Sequence, residues 1–170
     1  GWWASNQAAL YFDDMRVPAC DLMGQKDFGF LQIMQNFNYE RLSLAGIALG
    51  MMEAALEDSI AWAQQRETFG KPLIKHQVIR HKIADMSAKI DALRSLLWIL
   101  CATIEAGEMP VAELSKAKVF ATKSLEFVAS EAMQILGGAG YLRGNRVESI
   151  YRDVKVIAIG GGSEEIMRDL

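Results

Sequence analysis

The chain has 170 residues, 51% of them hydrophobic and 23% charged, with a formal net charge of −3. That balance suits one soluble globular domain with a sizeable core and lacks the basic surplus that nucleic acid would attract. No apolar run approaches the roughly 18 residues of a membrane span, and no basic segment with a cleavage site marks a secretory leader. The two cysteines, Cys20 and Cys101, stand far apart, which argues for reduced thiols in the cytosol or an organelle matrix, with neither a disulfide framework nor a metal site.

In chain order, residues 1–25 read as the remnant of a β domain with a linker, and residues 26–170 as a helical domain. Ala8-Ala9-Leu10-Tyr11-Phe12-Asp13 has the character of a strand, yet no partner strand follows it. A lone strand cannot satisfy its ladder, so the rest of the sheet is expected from a preceding part of a longer protein or from another chain. From Phe28 to about Arg66 there is no proline and glycine occurs only at 29, 46 and 50, which predicts one helix nearly 60 Å long at about 1.5 Å per residue. Ala45, Gly46, Ala48, Gly50, Ala54 and Ala55 are expected to admit a neighbouring helix closely, beside an apolar stripe of Leu42, Leu49, Met52 and Leu56. Pro72 closes a turn.

The next helix carries the cleanest periodicity. Ile79, Ile83, Met86, Ile90, Leu93, Leu97, Leu100 and Ile104 advance by steps of three and four, the pattern of a bundle seam. It is expected to stop at Gly107, with Pro110 opening a third helix whose apolar face runs from Leu114 through Ala121, Leu125 and Val128 to Ile135 and which ends on a left-handed Gly137. A fourth segment from about Val147 to Ile159 and a terminal one starting near Ser163 complete the chain. The expected fold is all-α, an up-down four-helix bundle with a short N-terminal β remnant.

Three features could carry chemistry. Residues 66–82, RETFGKPLIKHQVIRHK, hold five Lys/Arg, two His and a single acid in an otherwise acidic chain. Such a patch is either a solvated helix connection or a phosphate site in which Arg66 supplies a fork of donors and Phe69 a flat apolar face. Gly137-Gly138 is either a helix cap or a binding loop. Gly160-Gly161-Gly162 gives up much chain entropy unless backbone access is needed, and Ser163 with Glu164 and Glu165 behind it has the form of a helix start able to hold an anion.

Four separated motifs bring these features together: NYER at 38–41, RETFGKPLIKHQ at 66–77, QILGGAGY at 134–141, and YRD with IGGGSEEI over 151–166. In this order the chain resembles the C-terminal part of the acyl-CoA dehydrogenases over almost its whole length. The opening segment, ending in DDMRVPACDLMG, is similar to the family's junction between a central β domain and the C-terminal bundle. The resemblance implies FAD shared between subunits, hence a homo-oligomer, dimer or tetramer. It assigns Arg66, Phe69, Gln77 and Gln134 through Gly137 and Gly138 to the neighbouring subunit's cofactor, and Ser163, Glu164 and Glu165 to the subunit's own. It further implies an acyl-CoA substrate, an acceptor such as electron-transfer flavoprotein, and a bacterial cytoplasmic or mitochondrial matrix location.

One departure from the family concerns the base. Most members carry a glutamate in the loop pattern Ile-Tyr-Glu-Gly-Thr, where this chain has Ile159-Gly160-Gly161-Gly162-Ser163. A minority, including isovaleryl-CoA and long-chain types, place the glutamate on the first long helix just before an arginine, which Glu40-Arg41 resembles. By that resemblance Glu40 is the base and Asn38, Tyr39, Arg41, Gly160 and Gly161 line the substrate site. Asn38 itself stands where many relatives have an aspartate, and Gly144 and Ser149 replace an acidic and a basic residue. The expected reaction is α,β-dehydrogenation of an acyl-CoA to a trans-2-enoyl-CoA, with this stretch alone inactive. The rivals are a flavin monooxygenase or other enzyme on the same scaffold, and a non-catalytic helical interaction module.

Overall fold

The computed structural model describes residues 1–170. Helix α1, Gly29–Gln65, is unbroken over 37 residues. A two-stranded antiparallel hairpin follows, β1 Glu67–Thr68 with β2 Lys71–Pro72, in the register Glu67 to Pro72 and Thr68 to Lys71. Its turn residues Phe69 and Gly70 both have positive φ, 52° and 76°, as a two-residue hairpin turn with the twist of its strands requires. After a 3-10 turn at Leu73–Lys75 come α2 Gln77–Glu105, α3 Val111–Leu136, α4 Gly138–Tyr141, α5 Arg146–Ile159 and α6 Glu164–Arg168. The long helices α1, α2, α3 and α5 make the bundle.

Periodicity explains which faces close the core. On α1 the buried positions are Asn38, Arg41, Ala45, Ala48, Met52, Ala55, Ser59 and Ala63, a seam in steps of three and four. Its small side chains admit α3, whose Leu114, Ala117, Ala121, Leu125, Val128, Ala132 and Ile135 form the opposing face. Gly46 and Gly50, expected at that close approach, lie on the exposed side, where a Cβ would meet nothing within 4 Å. The seam passes through their alanine neighbours instead. On α2, Ile79, Met86, Ile90, Leu93, Leu97 and Leu100 are buried, with Ile83 within the stripe and Ile104 at its C-terminal end half-buried.

The N-terminal segment differs from a strand. Residues 8–13 are exposed and form no ladder; among residues 1–28 the one regular element is a 3-10 turn at Ala19–Asp21. The chain's one sheet consists of β1 and β2 alone, and residues 8–13 do not join it. The start of the chain is anchored differently. Trp2 donates its backbone N–H to Asp153 on α5 at 2.7 Å, and the Trp3 ring lies under the guanidinium groups of Arg143 and Arg152, 4.4 and 4.6 Å from its centroid. No helix is long and apolar enough to cross a membrane.

Candidate functional site

The residues singled out in the sequence fall into two clusters, one beside residues 38–41 of α1 and the other at its C-terminus. Residues 40 and 66 are separated by 26 helical residues, roughly 40 Å. One chain therefore does not unite them in a single site.

The first cluster surrounds the glycine loop that joins α5 to α6. Gly161 and Gly162 adopt φ of 67° and 99°, a region that glycine enters freely. A Cβ at Gly161 would stand 4.0 Å from the Oε1 of Glu40 and 2.7 Å from the Cδ1 of Leu44. The half-buried Glu40 carboxylate thus lies against the loop, and α1 side chains fill the space that a side chain at 161 would need. Arg41 is 6% exposed. Its Nε donates to the Gly161 carbonyl at 3.4 Å and its Nη1 to the Asn38 Oδ1 at 2.9 Å, which buries Asn38 beside it. Tyr39 points outward and is exposed. Gly160 follows α5 directly, its N–H closing the helix on the Val156 carbonyl at 2.8 Å.

From the other side the loop is held by Lys118 of α3, a residue that sequence reasoning passed over. It is fully buried, and its Nζ donates to the Ala158 carbonyl at 3.3 Å and to the Gly162 carbonyl. Burial pushes the Lys118 ammonium below the usual lysine range, against the pull of the nearby Glu164 charge. The signal in the sequence was its register: Lys118 occupies an inward position of α3 between Leu114 and Thr122, where the periodicity calls for an apolar residue.

Ser163 caps α6 by accepting the Ile166 N–H at 3.5 Å. Glu164 turns inward. Its carboxylate accepts from the Thr122 hydroxyl at 3.1 Å and pairs with Lys123 at 3.0 Å, so any ligand contact from residue 164 is left to its backbone. The exposed Glu165 carboxyl is held below the usual range by its own backbone N–H and by the Ser163 hydroxyl.

The second cluster sits where α1 ends. Arg66, Thr68, Leu73, Ile135, Gly137 and Gly138 line one open cleft of about 400 Å³, which brings the hairpin and the α3 terminus together. Gly137 takes φ 58° with ψ −136°, outside the left-handed helical cap expected for it, and α4 starts directly behind. A Cβ at either Gly137 or Gly138 would meet nothing within 4 Å, so the backbone there can be approached closely. The Arg66 side chain is exposed and its guanidinium engages no carboxylate of this chain. A cation beside bare glycine backbone has the donor character that an anionic cofactor requires. Phe69, at the hairpin tip, is 96% exposed, its ring edge-on to that of His76 at 6.2 Å between centroids. Gln77 opens α2 and Gln134 lies on the last turn of α3, both exposed.

Comparison with known proteins shows what the chain is similar to. Residues 27–170 match the family model described as acyl-CoA dehydrogenase, C-terminal domain. A cyclohexane-1-carbonyl-CoA dehydrogenase of Geobacter metallireducens is 35% identical over 99% of this chain and 44% of its own length. A crystal structure of a probable acyl-CoA dehydrogenase from Mycobacterium abscessus is 45% identical, with a TM-score of 0.89 over 93% of this chain and 42% of that one. A chain in a structure of the electron transferring flavoprotein of Acidaminococcus fermentans is 32% identical, with a TM-score of 0.90 over 93% of this chain and 42% of that one. The chain thus spans less than half the length of these relatives, and it belongs to the acyl-CoA dehydrogenase family, of which it carries the C-terminal helical domain.

Proposed function

We propose that the intact protein is an FAD-dependent acyl-CoA dehydrogenase in which Glu40 removes the α-proton of an acyl thioester, yielding a trans-2-enoyl-CoA. The observation that carries this reading is the Glu40 carboxylate lying against Gly161, the loop position at which the common family pattern has its glutamate. An α-proton of a thioester is weakly acidic, so a carboxylate has to be held over the α-carbon, and it serves equally from helix or loop if it reaches the same point. Negative charge that develops on the thioester oxygen needs fixed donors, for which the backbone amides of the 160–162 loop are available. Bound FAD supplies the acceptor for the β-hydride. Arg66, Phe69, Gln77, Gln134, Gly137 and Gly138 would hold the cofactor of a neighbouring subunit, and Ser163 to Glu165 that of their own.

The separation of the two clusters along α1 supports a homo-oligomer, since each cofactor then draws on two chains. Likeness to a chain found with an electron transferring flavoprotein supports such a protein as the acceptor. Residues 1–25 would belong to a preceding β domain, which gives the exposed segment at 8–13 its missing partner. Gly160 carries no side chain where relatives have an aromatic, which favours a branched or long acyl group.

Glu40→Gln in the intact protein tests the reading. The substitution is isosteric and should leave FAD and acyl-CoA binding in place while slowing flavin bleaching by substrate by at least about a hundredfold. Bleaching at the parental rate would remove Glu40 as the base and favour another chemistry on the scaffold or a non-catalytic module.

A further inference from the structure

Two buried cations face the glycine loop without a carboxylate partner. Lys118 reaches the carbonyls of Ala158 and Gly162, and Arg41 reaches that of Gly161. An unpaired ammonium in a core is costly, and an apolar residue would fill the same place on α3 without that cost. The reason for a lysine there lies in what its donors hold.

Three successive glycines have no conformation of their own. A trans peptide unit is planar, with its C=O and N–H pointing in opposite directions. Drawing the Gly161 and Gly162 carbonyls toward α1 and α3 therefore turns the N–H groups of Gly162 and Ser163 away from those helices. No acceptor in the chain takes the N–H of Gly161, Gly162 or Ser163. Cationic donors on the carbonyls also polarise the same peptide units and strengthen their N–H groups as donors.

We propose that Lys118 is a positioning residue that, together with Arg41, fixes the 160–162 loop so that its free amides are set in advance for the thioester oxygen of acyl-CoA. The inference rests on the reading of that loop as the thioester site. Donors fixed before the reaction cost no reorganisation when charge develops, whereas a loose glycine loop would have to be ordered at that moment.

The test uses the intact flavin-loaded protein with Lys118→Met, which keeps an unbranched side chain of nearly the same length and removes the donors, alongside Glu40→Gln. The infrared carbonyl stretch of bound acyl-CoA, labelled with 13C at the thioester, reports hydrogen bonding at that oxygen independently of turnover. It is expected to fall on binding to the parent and to Glu40→Gln, and to fall less in Lys118→Met. Lys118→Met should also lower kcat by on the order of 10- to 100-fold with KM within about threefold, the signature of a lost transition-state contact. A parental carbonyl shift and parental kcat in Lys118→Met overturn the positioning role. Failure of that variant to fold overturns it too, because it would make Lys118 a requirement of folding. Absence of any shift in the parent overturns the loop as the thioester site, and this inference with it. A parental rate in Glu40→Gln with a normal shift overturns the base assignment alone.

Discussion

Gly161→Ala asks why the loop opposite Glu40 carries no side chain. At φ 67° an alanine meets the left-handed penalty of L-residues, about 1–2 kcal/mol. Its Cβ would also stand 2.7 Å from the Leu44 Cδ1, so Leu44 has to leave its rotamer at about 0.5–1.5 kcal/mol. Together these predict a loss of about 1.5–3.5 kcal/mol, which at about 1–3 kcal/mol per molar urea moves the unfolding midpoint by on the order of 1 M. Urea titration of the intact protein, followed by far-ultraviolet circular dichroism, measures it. Leu44→Ala on the Gly161→Ala background should restore only the steric part, appearing as a coupling of about 0.5–1.5 kcal/mol in the double-mutant cycle, while the backbone part stays. Glu40 lies at an ordinary contact distance of 4.0 Å from that Cβ, so the α1 carboxylate should keep its place. A parental midpoint for Gly161→Ala, or strict additivity with Leu44→Ala, would refute the account of the loop as shaped by α1.

Leu93→Ala empties a fully buried position on the α2 seam and is expected to cost about 2–5 kcal/mol; an unfolding midpoint within error of the parent would show that the seam does not support the bundle. Arg66→Ala should lower the ratio of flavin to protein absorbance after gel filtration while changing folding stability by less than about 0.5 kcal/mol, since the side chain is exposed and pairs with no carboxylate here. Equal flavin content in mutant and parent would count against its place at the cofactor.

Much of the fold was legible because helices announce themselves locally. The three-four spacing from Ile79 to Leu100, the proline-free run that became Gly29–Gln65, and Ser163 before two glutamates each encode an element within a few turns of chain. The motif residues in both candidate clusters were also named in sequence, because the motifs keep fixed spacings, but Lys118 was not among them. Local spacing does not say which neighbour covers a face. Gly46 and Gly50 have the same small-residue character as Ala45 and Ala48, and only docking of α3 on one side of α1 turned the glycines outward. The strand-like segment at residues 8–13 has strand composition but no partner in this chain, and a ladder is a property of pairs. Lys118 was passed over for the same reason. Composition marks a lysine as a surface residue, and what makes it a buried donor is the α5–α6 loop, 40 residues further along, whose carbonyls arrive above it once the helices pack. Helical register was therefore written in the chain, whereas the pairing of Glu40 and Leu44 with Gly161, and of Lys118 with Gly162, was decided by packing between elements far apart in sequence.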